Sequence, residues 1–231
     1  MNDLPKIFIA IDQNDIIKAK TIIERLPPKI CGIKVGKELF TSCGPYIIDW
    51  IQSKGFKVFL DLKYHDIPNT VEKACFAASK MGVSILNIHA LGGKQMMLAA
   101  REGVDKAQND SYLIAVTLLT SMDKKSLNEI GITVPINEQI LNLASIASEA
   151  KLDGIVCSAK DIEQIKESLP KDFLYVTPGI RLKDDPTDDQ KRIATPSDAM
   201  RMGSKILIIG RTITQSENPD IVIKQIFDQI S

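Results

Sequence analysis

Only two histidines occur in the 231 residues, His65 and His89, and the four cysteines, Cys31, Cys43, Cys75 and Cys157, include no CxxC pair. Without an HExxH motif or a Cys/His cluster, no zinc centre is expected. The cysteines are also too sparse for the disulfide framework of a small secreted fold, so free thiols, buried or half-buried, are expected. An excess of either charge is missing as well: 29 Lys+Arg against 29 Asp+Glu leave a net charge of zero. That removes any global electrostatic case for a nucleic-acid partner, which calls for a basic excess or stripe. No apolar run reaches the roughly 18 residues that span a bilayer. The opening MNDLPKIFIAID carries Asp3 and no apolar stretch of signal-peptide length. The expectation is a soluble, cytoplasmic chain with no membrane partner.

Hydrophobic residues at 44% and charged residues at 25% are ordinary for a globular protein, and the length suits one large α/β barrel or two small domains. Short β-branched runs recur, each followed by a stretch of helical periodicity. Strands are expected at Ile7 to Asp12, Gly32 to Gly36, Val58 to Lys63, Ile85 to His89, Leu113 to Leu119, Gly154 to Ser158, Leu174 to Thr177 and Ile206 to Gly210. Runs such as IFIAI and ILIIG lack polar alternation, as strands buried on both faces do. Helices are expected at Asp15 to Leu26, Pro45 to Lys54, Thr70 to Met81 and Asn137 to Ala150, with Asn69 a candidate start and Gly55, Gly82 and Gly203 at cap positions. Eight such repeats fit a single (β/α)8 TIM barrel over residues 1–231. An open doubly wound sheet is the rival, but no GxGxxG turn follows the first strand. The polar stretch RLKDDPTDDQKRIATP, residues 181–196, interrupts the period after strand seven; there it could close over the site as a lid.

Barrel enzymes carry their chemistry at the C-terminal ends of strands. Asp12, Lys34, Asp61, Lys63, Thr120, Ser121, Arg181 and Arg211 all fall at or just beyond such ends. Any one of them alone reads as a surface position or a structural ion pair, but six strands polar at the same end do not. In DLKYHDIPNT, Asp61 and Lys63 lie two apart on a strand and so share a face, with Asp66 close behind and Lys34 on the neighbouring strand. The alternating array Lys34, Asp61, Lys63, Asp66 would keep the ammoniums protonated and the carboxylates ionised, so that a positioned Lys⁺ can donate a proton. Gly210-Arg211 after strand eight offers close backbone approach and a guanidinium fork to a phosphate, and Gly179 and Gln190 could add neutral donors. His65 reads as structural, with a general-base role the sharper alternative, and His89 as pocket lining or a structural hydrogen bond. Met96, Met97, Met200 and Met202 read as core filler, and Trp50 as packed on the barrel exterior.

IAID at Ile9 to Asp12, KVG at Lys34 to Gly36, DLKYHDIPNTV at Asp61 to Val71, TPGIR at Thr177 to Arg181 and IGR at Ile209 to Arg211 together resemble the orotidine 5'-phosphate decarboxylase family, over the whole chain. The DxKxxD element is shared with related barrels such as hexulose-phosphate synthases, and PGIR with the Gln190 loop tilts towards the decarboxylases. The resemblance implies cofactor-free, metal-free loss of CO2 from orotidine 5'-phosphate, the final step of UMP synthesis. Residue by residue, it implies Lys63 as proton donor to C6, Asp61 facing the substrate carboxylate, and Lys34 and Asp12 on ribose hydroxyls. Asp66, Ile67 and Thr70 would belong to a site shared across a homodimer. Thr120 and Ser121 would contact the pyrimidine, and Pro178, Gly179, Arg181, Gln190, Gly210 and Arg211 the remaining substrate and phosphate positions. Two other readings stay open: a metal-dependent phosphosugar aldolase or epimerase, and a non-catalytic phosphonucleotide-binding regulator.

Overall fold

The computed structural model of the chain describes residues 4–182 and 193–230. Eight strands, β1 (Ile7–Ile11), β2 (Cys31–Gly36), β3 (Val58–Tyr64), β4 (Ile85–His89), β5 (Tyr112–Val116), β6 (Gly154–Val156), β7 (Leu174–Thr177) and β8 (Ile206–Ile209), close into a barrel in sequence order. Every pairing is parallel, and β1 meets β8 with Ile7 opposite Leu207. Around it run α1 (Ile16–Ile23), α2 (Lys37–Cys43), α3 (Tyr46–Ser53), α4 (Pro68–Lys80), α5 (Gly93–Lys106) and α6 (Lys124–Glu129). The ring continues with α7 (Ile136–Glu149), α8 (Ala159–Ile165), α9 (Pro196–Met202), α10 (Arg211–Thr214) and α11 (Pro219–Ile230). This is a (β/α)8 TIM barrel, and each expected strand lies where the β-branched runs stand.

Two cores follow from the pleat. Outward residues such as Ile7, Ile9, Ile11, Ile33 and Val35 meet the buried faces of the helices, while Phe8, Phe59, Ile85, Ile114, Val176, Ile206 and Ile208 fill the barrel. Phe8 and Phe59 touch edge to face, with ring centroids 6.2 Å apart. This plug makes the barrel solid, so polar side chains higher on the same inward faces have an apolar floor beneath them.

Helix starts are set by local chemistry. Asp15 caps α1 by accepting from the N–H groups of Ile17 and Lys18, and Ser158 and Asp161 form a reciprocal capping box on α8. Asn69 is not the cap of its helix: α4 begins at Pro68 with Ile67 before it, because proline's fixed φ and missing N–H suit the first turn. Gly55, Gly82 and Gly203 do take positive φ, at 86°, 74° and 118°. Trp50 is half-buried on α3, against the outer core, and Met96 and Met97 are buried in α5. No disulfide joins the four cysteines, and three of them are buried. Among the described residues no helix is long and apolar enough to cross a membrane.

Candidate active site

At the C-terminal end of the strands, a cleft of about 510 Å³ opens above the plug. Its floor is apolar, from Ala10, Phe59, Val116, Val156 and Ile208. Charged side chains stand at two sides of this floor. On β2 and β3 they are Lys34, Asp61 and Lys63, and beyond β7 and β8 they are Arg181 and Arg211.

Asp61 is the centre of the first group. Its Oδ2 lies 3.0 Å from Lys34 Nζ and its Oδ1 2.5 Å from Lys63 Nζ. Asn87 Nδ2 donates to the same Oδ1 at 2.6 Å, and Lys34 also reaches Asp12 Oδ1 at 3.6 Å. Both Lys34 and Asp61 are buried, each 8% exposed. Burial alone would push the Asp61 carboxyl up, but the two ammoniums and the hydrogen bonds from Lys63 and Asn87 outweigh it and hold the carboxyl well below the usual range. Burial likewise works to lower Lys34, and Asp61 and Asp12 reverse it, raising the ammonium's pKa. Removing one partner of such a buried pair costs about 3–5 kcal/mol, whereas replacing the whole pair by apolar groups is often neutral. The array is therefore poor stabilising material for a barrel core.

Lys63 reaches Asp61 by a route that simple strand alternation does not describe. Leu60 pairs with Leu86 and Tyr64 with Ile88, so β3 advances four residues while β4 advances two. The surplus forms a bulge in which Lys63 takes φ 53°, a left-handed conformation that disfavours a side chain with a Cβ. Its N–H, turned out of the ladder, donates to Asn87 Oδ1 at 2.8 Å. A quarter of the Lys63 side chain remains exposed to the cleft.

The cleft also brings in Asp12, Thr120, Pro178, Gly179, Arg181, Gly210 and Arg211. Arg181 is buried, its Nη1 donates to Ile180 O at 2.9 Å, and its N–H donates to Ala194 O. Ala194 N–H in turn donates to Gly179 O, so the two ends of the polar stretch after β7 are tied together. Gln190 and the middle of that stretch, residues 183–192, lie outside the described residues.

Four sequence-predicted residues are not on this wall. Asp66, Ile67 and Thr70 are exposed on the β3–α4 connection, and Asp66 turns its Oδ1 back to the N–H of Ile67 at 2.7 Å. Asp66 therefore does not join Lys34, Asp61 and Lys63 within one chain. Ser121 is exposed beyond Thr120 and also stands off the cleft. In the other direction, sequence reasoning missed Asn87, Gln13, Thr214 and Gln215. Asn87 had a signal: it is the one amide in the buried run ILNIH. The other three sit at the end of the short helix α10 or in a connection, where a polar residue carries no signal.

His89 is half-buried beside the array, its Nδ1 buried without a partner and its ring 5.7 Å from that of His65. Burial first, then the positive neighbours His65, Lys63 and Lys37, hold it down to about 4, against the opposing pull of Asp61. His65 is exposed and outside the cleft, which suits the structural role better than that of a base.

The family profile described as Orotidine 5'-phosphate decarboxylase / HUMPS family matches residues 5–226. The chain belongs to that family. Among its relatives, an orotidine 5'-phosphate decarboxylase of Saccharophagus degradans is 50% identical over 96% of this chain and 93% of its own. One of Legionella pneumophila (strain Corby) is 47% identical over 95% and 96%. The crystal structure of the Lactobacillus acidophilus orotidine 5'-phosphate decarboxylase matches with a TM-score of 0.89 at 36% identity, covering 99% of this chain and all of that one. Family membership spans the whole barrel, including the β3 bulge and the β7 and β8 ends that line the cleft.

Proposed function

We propose that the chain decarboxylates orotidine 5'-phosphate to uridine 5'-phosphate and CO2, the closing step of UMP synthesis, with Lys63 as the acid. The observation that carries this reading is the Lys63 ammonium held on an ionised, buried Asp61 above an apolar floor, facing two guanidinium-bearing strand ends across one cleft. When the bond from C6 to the carboxylate breaks, its electron pair stays on C6, in the ring plane and without a cofactor to delocalise it. Stabilisation must then be electrostatic and already in place, which a fixed ammonium supplies. Lys63 gives its proton to C6, becomes a neutral amine, and is reprotonated from solvent. Asp61 keeps the ammonium charged and aimed, and its own negative charge lies next to the departing carboxylate.

Arg211, Arg181 and the open backbone at Gly210 suit the phosphate, and Lys34 with Asp12 suits ribose hydroxyls. Thr120 and Ser121 would meet the pyrimidine, with Ser121 requiring a shift towards the cleft. Binding at the phosphate, remote from C6, supplies energy that can be used to order the site around the reacting carbon. Asp66, Ile67 and Thr70, exposed and outside their own cleft, would complete the site of a second copy, so the enzyme is a homodimer. No cofactor is called for, and the enzyme works in the cytoplasm. Both oxygens of Asp61 are occupied by nitrogen donors, and among the described residues no group of three or more His, Cys, Asp or Glu is placed to hold an ion.

The test is the ultraviolet absorbance of orotidine 5'-phosphate with purified protein in excess chelator. The substrate band should decay with wild type and stay unchanged with Lys63→Ala, which should still bind uridine 5'-phosphate. A flat wild-type trace from well-folded protein would move the chain to the metal-dependent phosphosugar chemistry, to be assayed next on phosphosugars with added magnesium. Near-normal turnover by Lys63→Ala would remove Lys63 from its role.

A further inference from the structure

We infer that Asn87 is the positioning residue that sets the Lys63 ammonium for proton transfer; this rests on the decarboxylase reading above. Where β3 bulges, its residues Asp61, Leu62 and Lys63 face a single residue of β4, between the pairs Leu60–Leu86 and Tyr64–Ile88. That residue is Asn87, fully buried. A bulge leaves backbone groups without ladder partners, and here the Asn87 side chain stands in for the missing strand. Its Oδ1 accepts from Lys63 N–H at 2.8 Å, and its Nδ2 donates to Asp61 Oδ1 at 2.6 Å.

The two bonds run in opposite senses. One fixes the backbone of a residue at φ 53°, which would otherwise relax towards the extended region. The other holds the carboxylate oxygen that Lys63 Nζ also contacts, 2.5 Å away. One amide thus ties both ends of the Lys63–Asp61 unit, main chain and counter-ion. The requirement is narrow: the side chain must be neutral, short, and donor and acceptor at once. Aspartate has the shape without the donor, leucine the approximate volume without either function. Asn87 does not itself line the cleft and acts only through Lys63 and Asp61, which do.

The experiment uses the full-length protein with Asn87→Leu and Asn87→Asp. In Asn87→Leu, kcat should fall about 100-fold, the loss associated with a reacting group misplaced by around 1 Å, while KM stays within about threefold because the phosphate contacts lie across the barrel. Exchange of the Lys63 amide proton, followed by NMR without substrate, should quicken in the same variant. Asn87→Asp keeps an acceptor for Lys63 but sets a carboxyl against Asp61. Its turnover should rise as pH falls and the introduced carboxyl takes up the proton that restores a donor, a limb absent from wild type. Wild-type kcat in Asn87→Leu overturns the inference; should that variant not fold, pH-independent wild-type turnover in Asn87→Asp overturns it instead. If wild type itself fails to decarboxylate, the functional reading falls, and Lys63 amide exchange alone decides the tether: unchanged protection in the variants overturns it.

Discussion

Asp61 and His89 stand on adjacent strands, and burial acts on each against its charged form, yet only Asp61 stays charged. The difference is the company each keeps. Asp61 has two ammoniums within 3.0 Å, whereas His89 has positive neighbours and an unpartnered Nδ1. The consequences for stability have opposite character. A carboxyl held below its unfolded value stabilises the fold above a pH of about 3.9 and loses that contribution only as pH falls through the folded value. His89, held at about 4 against 6.5 for the free side chain, leaves the unfolded chain with the extra proton between those values. Stability should therefore fall as pH drops from about 6.5 to about 4, at no more than about 1.4 kcal/mol per unit and less where solvent screens the ring. Denaturant titrations at pH 7, 5.5 and 4 check this. His89→Gln should flatten the decline, and a decline of unchanged steepness would assign it to other groups.

At the scale of elements, α4 and α5 meet more closely than side chains would permit, because Gly103 of α5 lies on the backbone of α4. A Cβ there would collide with the carbonyl oxygen of Glu72 and stand 3.0 Å from its carbonyl carbon and 3.2 Å from its Cα, backbone atoms that cannot rotate away. Gly103→Ala gains about 1 kcal/mol of helix propensity but incurs an overpacking cost of about 1–3 kcal/mol, so a net loss of up to about 2 kcal/mol is expected. A lowered melting temperature would register it, and a raised one would show that the two helices can part without penalty. The same pair of elements shows how far the sequence could be read. Gly103 gives no sign in the sequence of what it touches, since its neighbour, Glu72, lies far upstream on another helix. Helix α4 itself was legible from its periodicity, although its start falls at Pro68 rather than Asn69. The β3 strand was legible too, but its bulge was not. Strand alternation gives the right partners for Asp61 and Lys63 by the wrong geometry, because a register slip depends on β4.

For the whole molecule, the exposed connection carrying Asp66, Ile67 and Thr70 is the segment on which the proposed shared site turns. Ile67 is 66% exposed, and Phe76 on α4 and Leu91 after β4 are 39% and 37% exposed. Such apolar side chains beside a polar loop suit a covering partner. Under the shared-site reading, Asp66→Ala and Lys63→Ala are each inactive as homodimers, and mixing them should restore about a quarter of wild-type activity per total site. That fraction follows from half of the chains entering hybrids, each with one intact site out of two. Activity that stays absent after subunit exchange is verified by mass spectrometry would place every catalytic group within one chain.

Composition, periodicity and the strand-end charges were enough to define the barrel, the chain order of its strands and the cluster at their C-terminal ends. These are repeating or local signals, written in the side chains that form each element. The tertiary structure alone decided how the expected charged residues meet, and which of them stays apart. It brought Lys34 and Lys63 onto one carboxylate, sent Asp66 outwards, and supplied Asn87 as the tie between strands. Each of these depends on register and curvature across neighbouring strands, and Lys34–Asp61 and Asn87–Lys63 are pairs between residues distant in the chain, which no single run of sequence contains.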